Sequence, residues 1–343
     1  MHTLLWYTVF VCLAVFFHER SIFMPGFTTH YLFGVKTCHR LGASPLRREL
    51  MENHTAFGLG LQGPDIFFYD LPSYVIYKNN IGSVAHTTDT GKFLFFLLQS
   101  RFLFPKGKKR QIAESYIAGF IGHYLLDTTC HPYVYDRSKS CSDSATAFAP
   151  HVYLETDIDT AFLRHYKKKL PSEFYQERTI ALSQTGHFVI AKILHHCYSS
   201  VYPNLHVSFQ TTLRATYFMP LAAGLLHDNT GKKKALARKC EGLLLGYPYF
   251  SALIPSDFLQ FSADPLNQAH RPWKNPWNEN AVSTASFPSL FSSASRRYAG
   301  YLKRLDELFS CKNEAVLPIL EGRLLADLGN KSYHSGMDCR IPS

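Results

Sequence analysis

The sequence predicts an all-α protein, and three observations carry that prediction. Apolar residues recur at a helical period of about 3.6 over most of the chain. Strand-like alternation is rare. Glycine and proline gather in two stretches instead of punctuating the chain at hairpin spacing.

The elements follow in order. A first helix spans 28–40, where the hydroxyls of Thr28 and Thr29 offer N-caps, and a second spans 45–52. The stretch 54–79 holds Gly58, Gly60, Gly63, Pro64 and Pro72 and reads as a loop. Helices are expected at 84–101, 110–127 and 145–168, the last with Ser144 as its cap. Further apolar periodicity places helices at 186–199, 208–226, 232–245, 283–309 and 314–328. Between two of these, 263–280 contains Trp273, Trp277, His270 and three prolines, and reads as a rigid loop packed on the body. The segment 329–336 reads as a polar tail. The resulting organisation is a helical core over 24–170, a helical continuation over 171–343 with no assigned role, and an apolar extension over 1–23.

Composition narrows the class. A 46% hydrophobic share supplies a sizeable core, and only 18% charged residues argues against disorder. The net charge of +10 suits a phosphate-bearing partner, a membrane surface or nucleic acid. The basic clusters 106–110, 167–169 and 232–234 are short, however, and read as solvated helix ends. Eight cysteines include no Cys-x-x-Cys pair, which removes zinc-finger and thioredoxin readings and fits a reducing compartment. A Cys130–Cys141 bridge closing a loop is the weaker reading.

The apolar run from Leu4 to Phe17 is shorter than the ~20 residues of a membrane span. It has neither a basic n-region nor a small-residue cleavage site. Three readings stay open for residues 1–23: an extension upstream of the natural start, a poor signal or anchor, or a docked helix. A start at Met24 implies a cytoplasmic protein. A working signal or anchor implies a secreted or membrane-associated one.

The chemistry concentrates between residues 116 and 155. His123-x-x-x-Asp127 and His151-x-x-x-Glu155 each place an imidazole and a carboxylate on one helix face, and His131 lies between the pairs. Asp127 follows Tyr124-Leu125-Leu126, and a carboxylate in such apolar surroundings needs a cation. Upstream stand His30, Asp65 after Gly63-Pro64, and His86. Alone, each would be an ordinary histidine or aspartate. As a set of eight, these imidazoles and carboxylates without thiolate suit zinc or a similar divalent metal, in two or three ions that keep water positions open. His39, His54, His165, His195, His196 and His206 read as ordinary.

This ordered set resembles the bacterial zinc-dependent phospholipase C family, whose all-helical trinuclear zinc fold is shared with single-strand-specific fungal nucleases. The resemblance covers about residues 24–160 and rests on His30, Asp65, His86, His123 with Asp127, His131, and His151 with Glu155. It implies a partition. Asp65, His86, His123 and Asp127 would hold one zinc, and His131, His151 and Glu155 a second, more exposed one. His30 and a shared Asp127 would hold a third, with the family's N-terminal amine. That amine would be Pro25 if the chain started at Met24 and lost its methionine. The family usually has a tryptophan at that terminus, which this chain lacks.

The resemblance also implies a phosphodiesterase, with Asp65 orienting or deprotonating the attacking water. The first functional reading is a phospholipase C acting on phospholipid head groups, with Phe67, Phe68 and Tyr69 available for a quaternary ammonium. Ile66 departs from the aromatic that follows the metal aspartate in choline-cleaving relatives. The Trp273/Trp277 loop is a possible membrane contact. The alternatives are a single-strand nuclease or 3′-nucleotidase and a non-catalytic metal-stabilised binding protein. With no basic stripe interleaved with aromatics, no stable nucleic acid complex is expected.

Overall fold

A computed structural model describes residues 26–77, 80–139, 145–244 and 246–340. Pro25 and the apolar run before it, Cys141 and Ser144 lie outside the described residues. Within them the chain forms fourteen α-helices and one two-stranded hairpin, so the fold is all-α.

The first half runs α1 (Phe27–Cys38), α2 (Pro45–Glu52), α3 (His54–Gly60), α4 (Leu71–Ile76), α5 (Ile81–Thr87), α6 (Thr90–Gln99), α7 (Lys108–Ser138) and α8 (Ala145–Lys167). The second half runs α9 (Gln184–Val201), α10 (Phe209–Leu226), α11 (Lys232–Leu244) and α12 (Phe250–Leu253). The hairpin β1 (Trp273–Asn275) and β2 (Asn278–Ser283) follows, then α13 (Phe287–Ser310) and α14 (Leu317–Leu328). The central helix α7 packs against α1, α3, α8, α9 and α13, and one apolar cluster draws residues from both halves.

Four expectations are corrected here. The glycine-rich stretch 54–79 is not a loop throughout, since it contains α3 and α4. Gly60 serves packing: a Cβ on it would sit 2.2 Å from the carbonyl of Tyr116 on α7, and on that facing helix a Cβ on Gly119 would sit 2.3 Å from the carbonyl of Phe57. Missing side chains let α3 and α7 approach backbone to backbone, which a single sequence cannot tell from turn chemistry. The helix expected over 84–101 divides: α5 ends at Thr87, Thr88 is extended, and Asp89 adopts a left-handed conformation (φ 50°) before α6 begins.

The third correction lengthens α7. It does not stop at Asp127 but continues through Pro132 to Ser138. Pro132 cannot donate to the carbonyl of Thr128, and that freed carbonyl is where Gly336 comes closest. The fourth concerns residues 329–336, which are no tail: Ser332, Tyr333 and Ser335 are buried against the site. The 263–280 stretch does pack on the body. Trp273 donates to the carbonyl of Ala285 at 3.0 Å and lies edge-on to Tyr133, and the segment ends in the hairpin.

Candidate metal centre

Two helices carry the centre, each with three polar side chains on successive turns of one face. On α7 these are His123, Asp127 and His131, and on α8 they are His151, Glu155 and Asp159. The spacing of four residues stacks them on a single side of each helix. His30 comes from the first turn of α1, His86 from the last turn of α5, and Asp65 from a 3-10 turn over Gly63–Phe67. Gly63 makes that turn possible. It has φ 53°, and a Cβ there would stand 2.2 Å from the His123 ring.

Apart from Asp159, these side chains are the eight candidate ligands that fall within the described residues; all eight are buried, and they converge. His30 Nε2 and His123 Nε2 each stand 3.0 Å from a different oxygen of Asp127, and His131 Nε2 stands 3.6 Å away. Asp65 lies 3.0 Å from His86 Nε2 and 3.8 Å from His123 Nε2. Glu155 lies 3.3 Å from His151 Nε2 and 3.5 Å from His131 Nε2. Three groupings have spacing that can hold a metal ion: His30–His123–Asp127, Asp65–His86–His123 and His131–His151–Glu155. His123 belongs to two of them, and Asp127 faces three histidines.

The donor chemistry fits a cation. Both oxygens of Asp65, one each of Asp127 and Glu155, and His123 Nε2 are buried without a hydrogen bond. Such atoms are costly unless a positive charge lies among them. Backbone carbonyls also orient the rings. His86 Nδ1 donates to Gly82 at 2.7 Å, His123 Nδ1 to Leu61 at 3.2 Å and His131 Nδ1 to Tyr333 at 3.2 Å. A carbonyl can only accept, so each Nδ1 keeps its proton and each Nε2 offers a lone pair inward.

Titration follows the same arrangement. Burial lowers His86 and His123, and takes His151 down to about 3, which keeps these rings neutral. Burial raises Glu155 to about 7 and pushes Asp65 well above the carboxylate range. Burial works to raise Asp127 too, but His123, His131 and His30 together hold it well below its ordinary value.

A family model described as zinc dependent phospholipase C matches residues 29–204. The chain belongs to this family. Comparison with curated proteins and with solved structures gives no match. The phospholipase C match includes all eight candidate ligands. It excludes residues 205–343, which nevertheless reach the centre.

Three site residues escaped the sequence reading. Asp159 accepts from the backbone N–H of Thr28 and of Thr29 and so holds the first turn of α1 in place. Thr28 and Thr29 are therefore donors to Asp159, and the N-cap residue is Gly26. The signal existed: Asp159 continues the four-residue spacing from Glu155. Tyr333 caps His86 with its ring, 4.8 Å centroid to centroid, and donates its N–H to the His86 carbonyl. The half-buried His334 ring lies 5.6 Å from His86, 6.2 Å from His131 and 5.3 Å from Tyr135. Nothing in the local sequence marks 333–334 as part of a site.

Proposed function

We propose that this protein is a zinc-dependent phosphodiesterase of the phospholipase C type, hydrolysing phospholipid head groups. The observation that carries the reading is the convergence of His30, Asp65, His86, His123, Asp127, His131, His151 and Glu155 beside a pocket with Glu155 on its wall. Zinc held by these groups would lower the pKa of water toward neutrality and neutralise phosphate charge.

The chain's own residues then divide the work. Asp65 orients the attacking water and takes its proton: its two buried oxygens make no hydrogen bond within the protein. His131, His151 and Glu155 hold the outer position, beside the pocket. Tyr69 and Phe174 line that pocket with Glu155 and Asp159. Aromatic faces among carboxylates suit a cationic head group. Phe67 and Phe68 do not serve that role: both are buried, Phe68 against the His86 ring. Ile66 is wholly buried as well, so the departure there falls in the core and leaves Tyr69 to meet the ligand.

The test is an assay of the zinc-loaded protein on phosphatidylcholine, phosphatidylethanolamine and single-stranded DNA, beside its Asp65→Asn variant. Release of phosphorylated head group by the wild type, reduced at least about a hundredfold in the variant, supports the reading. Cleavage of DNA without cleavage of lipid overturns it in favour of a nuclease.

A further inference from the structure

Helix α11 is amphipathic in the wrong direction for a helix of a self-contained soluble protein. Its inward face buries only Lys234, Ala237 and Glu241, and no large apolar side chain. Lys234 donates through Nζ to the carbonyl of Ile254 at 2.7 Å, and Glu241 accepts from the backbone of Ser251 at 2.9 Å. Two residues along a helix turn the side chain by about 200°, so Leu236 and Leu243 point away from the body. They are 63% and 79% exposed. Lys232, Arg238 and Lys239 are exposed around them.

A neighbouring loop does the same. Asp157 on α8 accepts from the backbone N–H groups of Gln260, Phe261 and Ser262 at 2.7, 2.9 and 3.0 Å, which holds the loop after α12 in one shape. That loop displays Phe258 with 73% of its surface exposed. Arg238 reaches from α11 to Gln260 in the same loop. Exposed apolar side chains clustered this way mark an interaction surface.

We infer that the outer face of α11 and the loop bearing Phe258 form a docking surface for an anionic phospholipid bilayer. The inference rests on the phospholipase reading and extends it to how the substrate is met. Two features select a bilayer over another occupant. Cations interleaved with leucines complement anionic head groups while the leucines enter the acyl boundary. The surface also adjoins the pocket that contains Glu155: Pro255, from the same loop as Phe258, lines that pocket with Leu253 of α12 and Leu226 of α10. Among the described residues no helix is long and apolar enough to cross a membrane. It lies outside the 29–204 match.

The experiment compares the full zinc-loaded chain with Leu236→Glu/Leu243→Glu and Lys232→Glu/Lys239→Glu variants. Co-sedimentation uses vesicles of phosphatidylcholine with phosphatidylserine and vesicles of phosphatidylcholine alone. Hydrolysis is read on a short-chain phosphatidylcholine kept monomeric. We expect the leucine variant to lose vesicle partition about a hundredfold while cleaving monomeric lipid as the wild type does. The lysine variant should lose only the preference for phosphatidylserine. Ile319→Glu on α14, an equally apolar exposed site, should keep vesicle binding. Wild-type partition by the leucine variant overturns the proposal. So does a wild-type dimer in solution that the leucine variant splits, because the face would then join two copies. Leucine-dependent vesicle binding without cleavage of monomeric lipid would leave the surface standing and remove the phospholipase reading alone.

Discussion

Asp159 Oδ1 accepts both the backbone N–H of Thr29, at 2.7 Å, and its hydroxyl, at 2.6 Å. With Thr28 N–H on the other oxygen at 2.9 Å, a carboxylate 130 residues away satisfies donors in the first turn of α1. His30 is in that turn. Asp159→Ala should therefore lower stability by about 2–4 kcal/mol, measured by denaturant unfolding. It should also reduce bound metal, because His30 loses its position opposite Asp127. Asp159→Asn, which keeps an acceptor oxygen, should fall between. Full metal content in the alanine variant would show that His30 is placed by other contacts.

Asp127 faces His30, His123 and His131, whereas His131 serves the Glu155 side. Asp127→Asn should remove more metal than His131→Ala. Metal counts on the two purified variants decide this, and the reverse order would deny Asp127 a bridging role.

Stripping the metal leaves Asp65, Asp127 and Glu155 buried together with unbonded oxygens. A strong chelator should lower the thermal midpoint by several degrees or more, since binding energy to the native state adds to folding. Returning zinc should restore it. An unchanged midpoint would mean that the groups are satisfied without a cation.

Glu49 on α2 and Glu114 on α7 form a separate acidic pair, with Glu114 nine residues before His123 on the same helix. Burial first, then the neighbouring Glu114 charge, raises Glu49 to about 8, and burial raises Glu114 to about 7. Both values exceed the ordinary carboxylate value, so the fold binds protons more tightly than the unfolded chain does. Stability from this pair is present below about pH 4.5 and is lost as pH rises toward about 8. Glu49→Gln needs no proton. Its midpoint relative to wild type should rise between about pH 5 and about pH 8, as read by thermal scans at the two pH values. A constant difference would separate the pair from the pH dependence.

Gly336 has φ 66°, and a Cβ there would stand 2.3 Å from the Thr128 carbonyl. Gly336→Ala should displace segment 331–338, releasing the Tyr333 carbonyl from His131 Nδ1. We expect loss of metal from the His131–His151–Glu155 grouping and about tenfold or greater loss of affinity, with helix content unchanged. Metal titration checks the first and circular dichroism the second.

Local physics made much of this protein legible from the order of its residues. Apolar period placed most helices, and the His-x-x-x-acid spacing put His123 with Asp127 and His151 with Glu155 on single faces before any packing was known. Where two effects share one residue type, reading failed: Gly60 looked like a turn residue and serves helix contact. The helix expected to end at Asp127 runs on through Pro132, and a neighbouring segment meets the carbonyl that Pro132 frees.

Only the tertiary structure decided what lies across from those faces. The carbonyls of Leu61, Gly82 and Tyr333 orient three imidazoles, and a carbonyl is present at every residue, so no sequence pattern announces it. Asp159 is one more acid on a helix until α1 is laid against it. The leucines of α11 have ordinary spacing, and it took the anchoring of Lys234 and Glu241 to turn them outward. Periodicity reports which residues share a side, and long-range packing settles whether that side meets the core, the metal centre or the solvent.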